Sequence, residues 1–167
     1  LRTVDYEGNW TSTVHVGPYI IDTTQPQSTL ISPSDETVWG ANGIYIEGSS
    51  TDTPQETVSY VTLWAYSYAD DEWFEITTLY NENETDPFNW SYTWFPDYED
   101  SFDIYPEATD KAGNTDDSQN AYAEYVTYDT SPPESEITSP LGDSFYNAPI
   151  PIEGNSQDSS EFPVDSA

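Results

Sequence analysis

Blocks of sequence that return at a fixed distance restrict a chain to folds that stack copies of one unit, and four such blocks occur here. Ile21-Asp22-Thr23-Thr24-Gln25-Pro26 returns as Tyr128-Asp129-Thr130-Ser131-Pro132-Pro133 at an offset of 107. Ser28-Thr29-Leu30-Ile31-Ser32-Pro33 returns as Ser135-Glu136-Ile137-Thr138-Ser139-Pro140 at the same offset. Asp5-Tyr6-Glu7-Gly8-Asn9 matches Asp110-Lys111-Ala112-Gly113-Asn114 at 105, and Ile44-Tyr45-Ile46-Glu47-Gly48 matches Ile150-Pro151-Ile152-Glu153-Gly154 at 106. The order of the blocks is kept, so the reading is the end of one unit (1–24), one whole unit (25–131) and the start of a third (132–167). The Thr- and Pro-rich joints at 22–26 and 129–133 are short and stiffened by Pro, which favours an extended rod over freely tumbling beads. The two end pieces together hold about 60 residues against a period of 107, too few for a further whole unit. A longer parent chain is the simpler expectation, with strand exchange between subunits as the other.

Within the whole unit, short runs rich in Val, Ile, Thr and aromatic residues alternate with turn residues. Strands are expected near 28–32, 37–39, 44–49, 58–68, 73–80, 88–94, 101–109 and 121–128. Seven or eight strands in about 100 residues, with no 3.6-residue period, indicate an all-β fold, an antiparallel β-sandwich in a tandem array with partial sandwiches at both ends. Alternation is clearest where Phe88, Trp90, Tyr92 and Trp94 share one face and Asn89, Ser91 and Thr93 the other, the first set being the expected core. Aromatic residues make up 16 % of the chain, which argues against disorder despite a formal charge of −30. There is no Cys, so no disulfide is possible, compartment cannot be read from thiols, and burial of rings takes the place of the missing crosslink. No apolar run is long enough to span a membrane.

The stretch Ala108-Thr109-Asp110-Lys111-Ala112-Gly113-Asn114, a last strand ending in Tyr128-Asp129-Thr130-Ser131-Pro132-Pro133, and then Ile137-Thr138-Ser139-Pro140, resembles the tandem Ig-like domains of prokaryotic cell-surface and S-layer-type proteins. Those domains close with an Ala-Thr-Asp-x-Ala-Gly-Asn turn and an Asp-Thr-Thr-Pro-Pro joint. The resemblance covers the whole chain and implies an Ig-like sandwich and a surface location. It says little of activity, because such modules serve in lattices, adhesins, filaments and as spacers on enzymes. The first fragment departs from the pattern, with Asp5-Tyr6-Glu7-Gly8-Asn9 in the turn and Gln25 before a lone Pro26.

Charge removes several functions. With 32 Asp and Glu against 2 Lys and Arg, the chain lacks the cations that replace phosphate counterions, so no nucleic acid and no anionic membrane surface is expected as a partner. The single imidazole, His15, lies in the last strand of the incomplete first unit and reads as an ordinary strand residue, so no nucleophilic triad is expected. Zinc-type clusters of His and Cys are absent from the sequence. With so many carboxylates, the spacing of any one pair is no sign of a glycosidase, and the chain is expected to be non-enzymatic.

Calcium needs only oxygen ligands. In an Ig-type sandwich the turn between the second and third strands and the turn between the last two lie at the pole of the entering linker. Asp52 and Glu56, then Asp110, Asp116 and Asp117, would gather there beside Asp22, and the repeat supplies Asp129 and Asp158 in the positions of Asp22 and Asp52. A Ca²⁺ ion bridging joint and pole would stiffen the rod. The plain alternative is a set of solvated surface acids.

Three N-glycosylation sequons occur, at Asn9, Asn83 and Asn89. Another stripe, Tyr60, Trp64, Tyr66 and Tyr68, alternates with Val61, Leu63 and Ala65. If the smaller residues face the core, the rings form an outward platform suited to a sugar or a neighbouring subunit; if reversed, they are core. Core or subunit packing is the favoured reading.

The acidity itself produces strong self-repulsion that only abundant cations screen, since the screening length falls from about 8 Å at 0.15 M salt to about 3 Å at 1 M. The expectation is an extracellular protein of a saline habitat, with an archaeal source among the candidates. Its function is read as structural: a segment of a rod that assembles with other copies of itself, and with cations, into an S-layer, sheath or filament. The alternatives are an adhesin stalk or a spacer of a secreted hydrolase.

Overall fold

A computed structural model describes residues 3–10, 21–52, 57–116, 122–140, 142 and 145–158. His15, Thr11 of the first sequon, Glu56 and Asp117 lie outside the described residues. The described residues contain ten strands: β1 (Gln27–Ser32), β2 (Val38–Trp39), β3 (Ile44–Thr51), β4 (Val58–Ser67), β5 (Glu72–Tyr80), β6 (Phe88–Trp94), β7 (Asp100–Asp110), β8 (Ala123–Tyr128), β9 (Glu134–Ser139) and β10 (Glu153–Gln157). Among these residues no helix is long and apolar enough to cross a membrane.

Two sheets form the body, one ordered β1-β3-β6 and the other β2-β8-β7-β4-β5. Each strand presents alternate residues to the space between them, as a period of two requires. Ile44 and Ile46 of β3 and Phe88, Trp90 and Trp94 of β6 meet Val61, Leu63 and Ala65 of β4, Phe102 and Ile104 of β7, and Val126 of β8 in one buried cluster. Asn89, Ser91 and Thr93 face solvent, as the alternation in β6 predicts. The rings interlock across the sheets, with Trp94 4.7 Å from Phe102 and 5.9 Å from Phe74 between centroids. Each fully buried large apolar side chain stabilises the fold by roughly 1.5–3 kcal/mol, which is how the sandwich holds without a crosslink. Pro106 sits inside the long β7, yet the pairing of β7 with β8 ends at Ile104, so at the proline the strand has only β4 beside it.

The sandwich is not wholly antiparallel, as the sequence reading had it. Val38 and Trp39 run parallel to Thr127 and Tyr128. After β1 leaves the three-stranded sheet, the chain crosses to the other, and the Thr37 and Trp39 carbonyls accept the Thr127 and Asp129 amides at 2.8 Å each. A two-residue strand gives too weak an alternation to reveal the direction of its partner.

β9 and β10 form a sheet of their own. Their register repeats that of β1 and β3 residue for residue: Gln27 faces Thr51 and Glu134 faces Gln157, Ser28 faces Ser50 and Ser135 faces Ser156, Leu30 faces Gly48 and Ile137 faces Gly154. The irregularity between Leu30 and Ser32 recurs between Ile137 and Ser139. The serine hydroxyls also meet in both copies, at 3.0 Å for Ser28 and Ser50 and 3.3 Å for Ser135 and Ser156.

Candidate functional site

β7 ends in a turn that its own first residue holds. Asp110 Oδ1 accepts the Gly113 and Asn114 amides at 2.6 and 2.8 Å, and Oδ2 accepts the Asn114 side-chain amide at 2.8 Å. The backbone closes from Asp110 N to Asn114 O at 3.0 Å. Gly113 has φ of 93°, a region that a side chain disfavours, which is why the motif carries glycine. The turn at Asp5 is built the same way: Asn9 donates its backbone and side-chain amides to the two oxygens of Asp5 at 2.8 and 3.0 Å, and Gly8 has φ of 86°. These donors hold the Asp5 carboxyl below its ordinary range, the Asn9 side chain contributing most.

The turn after β7 also grips the incoming chain. Asn114 Nδ2 donates to the Asp22 carbonyl at 3.3 Å, and Asp116 Oδ2 accepts the Ser28 amide at 2.7 Å. Asp22 in turn caps its own joint by accepting the Thr24 amide at 2.9 Å, as Asp129 does for Ser131 at the same distance. At this pole one carboxylate oxygen from each of Asp22, Asp52 and Asp110 lies within 4.8 Å of the other two. Asp52, just past the end of β3, is 3 % exposed and Asp110 is 2 % exposed. Oxygens bound to one calcium ion at 2.3–2.6 Å are at most about 5 Å apart, so this spacing fits a hard divalent cation. A cation bound there would also offset repulsion between neighbouring carboxylates.

The eight acids singled out by sequence therefore divide. Asp22, Asp52 and Asp110 come together; Asp116 is at the same joint, where it ties down the Ser28 amide. Asp129 and Asp158 are not in the cluster, while Glu56 and Asp117 are outside the described residues.

The outgoing joint is held by a residue the sequence did not single out. Glu99, just before β7, accepts the Thr130 amide and hydroxyl at 2.8 and 2.6 Å and the Ser131 hydroxyl at 2.9–3.0 Å. These bonds, led by the Thr130 hydroxyl, lower the Glu99 carboxyl from its ordinary value. Nothing in sequence marks a contact across 31 residues; the only hint is the repeated Asp-Thr joint that needs a partner. Both joints are thus fastened to opposite ends of one strand, 11 residues long and roughly 36 Å at about 3.3 Å per residue.

Of the sequons, Asn83 sits in an exposed turn and Asn89 points outward from the edge strand β6. Asn9 is different, because its side-chain nitrogen is engaged with Asp5.

The second aromatic stripe faces outward. Val61, Leu63 and Ala65 are wholly buried, which turns Tyr60, Trp64, Tyr66 and Tyr68 to the other face of the sheet. The core reading of that stripe is therefore corrected, since the smaller residues fill the space between the sheets. On the outer face Tyr68 stacks on Tyr125 at 4.6 Å, and Tyr66 lies 5.5 Å from Trp73. Asp103 beneath them accepts from Tyr68 Oη and from the Tyr125 amide. Burial pushes the Asp103 carboxyl up, with repulsion from Glu124 and Asp35 adding to it and the two hydrogen bonds opposing.

Compared with known proteins, the chain matches no family model, no curated protein and no solved structure.

Proposed function

We propose that this chain is a segment of a non-enzymatic cell-surface rod of tandem Ig-like units, 1–24, 25–131 and 132–167, which assembles with other copies of itself into an S-layer, sheath or extracellular filament. The observation that carries the reading is the recurrence of local structure at the sequence period. The Asp5 and Asp110 turns share their hydrogen bonds, and β1–β3 and β9–β10 share their register. A chain that repeats its joint and its first strand pair, and ties each joint to an end of β7, is suited to transmit tension along its length. The acidic coat keeps such a rod soluble until cations screen it.

The same proposal gives Asp22, Asp52 and Asp110 to a structural Ca²⁺ that locks the entering joint to the pole. Asn83 and Asn89 are its glycan acceptors ahead of Asn9, whose glycosylation would remove an amide proton donor from the turn.

Electron microscopy of the chain in concentrated salt with and without Ca²⁺ tests the assembly. Repeated lateral or end-to-end contacts are expected, and dispersed monomers under every condition would overturn the reading. The cation is tested separately by melting with excess chelator and with excess Ca²⁺ at equal ionic strength. At a hundredfold excess over Kd, binding adds about 2.7 kcal/mol. The gain should vanish in Asp22→Asn, which is the least buried of the three; equal melting in both conditions rules out the ion.

A further inference from the structure

The outer face of the five-stranded sheet carries a groove of about 400 Å³ walled by four rings, Trp64, Trp73, Tyr105 and Tyr122. Its polar lining is three carboxylates, Asp103, Glu107 and Glu124. The strand pairing explains this: Trp64 of β4 lies opposite Tyr105 of β7, and Tyr66 lies between Trp73 of β5 and Asp103 of β7. Asp103, Tyr105 and Glu107 share the outward side of β7 while Phe102, Ile104 and Pro106 go inward.

The hydrogen-bonding character of the groove is one-sided. Tyr105 Oη donates to the Asp116 carbonyl at 2.7 Å and Tyr122 Oη donates to Glu124 at 2.9 Å, so both phenols are engaged. The Trp64 indole N–H is buried away from solvent, leaving Trp73 as the one free side-chain donor among the described lining residues. Against it stand three carboxylates, which accept and do not donate when ionised. The one ion pair among the described residues, Lys111 with Glu84 at 2.9 Å, involves none of the lining residues.

Such a lining fits a ligand that only donates and is positively charged. Ammonium groups meet that description and are also attracted to aromatic faces. Asp103 and Glu107 are four residues apart on one strand, roughly 13 Å, so no single ammonium reaches both. Tyr105 lies between them. We propose that this groove binds a linear aliphatic polyamine, its methylenes lying on the rings and its ammonium groups at the carboxylates. A sugar needs donors as well as acceptors from its site, and the groove supplies almost none. A second copy of this chain would bring the same three carboxylates against another acidic surface. An extended peptide needs a sheet edge for its backbone, and the groove lies on a sheet face.

Calorimetric titration of the full chain with spermidine, beside Mg²⁺ at matched ionic strength and a neutral oligosaccharide, tests the proposal. Saturable one-to-one binding of spermidine is expected, persisting in the Mg²⁺ background. Trp73→Ala should weaken it by roughly threefold to thirtyfold, the range of a cation–π contact, and Glu107→Gln by roughly twofold to fivefold, the range of an exposed ion pair. Both positions lie on the outer face, and an unchanged melting temperature in each variant separates lost binding from lost folding. Loss of spermidine binding in Mg²⁺, or unchanged affinity in both variants, would show diffuse counterion attraction and overturn the proposal. Binding of the oligosaccharide alone, or self-association in sedimentation equilibrium that Trp73→Ala abolishes, would overturn it in favour of those occupants.

Discussion

Strands β1 and β3 and strands β9 and β10 are built from matching blocks and pair in the same register, yet their side chains end in different places. Ile46 is fully buried while its counterpart Ile152 is 76 % exposed. Asp52 is buried at the joint, whereas Asp158 is exposed. The pairing of the two strands in each case is thus specified by their own residues, through serine contacts, a glycine and a bulge. Burial is not, because it needs β6 beside β3 and the second sheet across from it, and β10 has only β9 beside it among the described strands.

The largest expected break in this comparison comes from the isoleucines. Ile46→Ala should cost about 2–5 kcal/mol, as large-to-small core changes do. Ile152→Ala should stay within about 0.5 kcal/mol, as surface changes do. Denaturant melts of the two variants followed by tryptophan fluorescence compare them directly, and equal losses would mean that 132–158 is also packed into a core.

A smaller difference is expected at the glycines. A Cβ at Gly48 would overlap both the Trp90 ring and the Thr29 carbonyl, while one at Gly154 would meet the equivalent Glu136 carbonyl at 2.6 Å and no ring. Gly48→Ala should destabilise by about 1–3 kcal/mol through overpacking. Gly154→Ala should disturb only its own strand pair, visible as lost amide protection in β9 and β10 without a shift of the main transition.

The two turns extend the comparison. Asp110→Ala removes three hydrogen bonds at a buried site and should cost about 1–3 kcal/mol, most of it from donors left unpaired. Asp5→Ala deletes the matching bonds in an exposed turn and should leave the main melting transition where it is.

The smallest effect is in acid. Asp5 and Glu99 have folded values below their unfolded ones, so their contribution is complete above the ordinary carboxyl range and is lost as pH falls through the lowered values. Asp103 has the opposite sign: burial, with a smaller share of repulsion, raises its folded value, so protonation removes a buried charge and stability gains as pH falls through that value. Carboxyl-carbon titration by NMR should place Glu99 below the ordinary glutamate range and Asp103 above the ordinary aspartate range; Glu99→Gln should free the Thr130 amide to exchange.

Much of the fold was legible because its signals are local. The alternation of Phe88, Trp90 and Trp94 with Asn89, Ser91 and Thr93 names both the strand and its inward face. Asp110 with Gly113 and Asn114 names the turn, since only glycine takes that φ freely and only a short acid reaches back to those amides. The stripe through Tyr60, Trp64, Tyr66 and Tyr68 was ambiguous, because period two says which residues share a face and not which face is buried. Of the site, the entering joint was legible through the repeat of Asp22 at Asp129. The hold of Glu99 on Thr130 was not, since a contact across 31 residues leaves no periodic trace.

By itself, then, the sequence determined the strands, their turns and the length of the repeating unit, all set by interactions within a few residues or by outright recurrence. Tertiary structure alone decided which side of β4 meets solvent, that β2 lies parallel to β8, and that Asp22, Asp52 and Asp110 converge while Asp116 turns to Ser28. Those outcomes depend on which surfaces are dehydrated when two sheets close on each other, and that choice is made by the whole core at once.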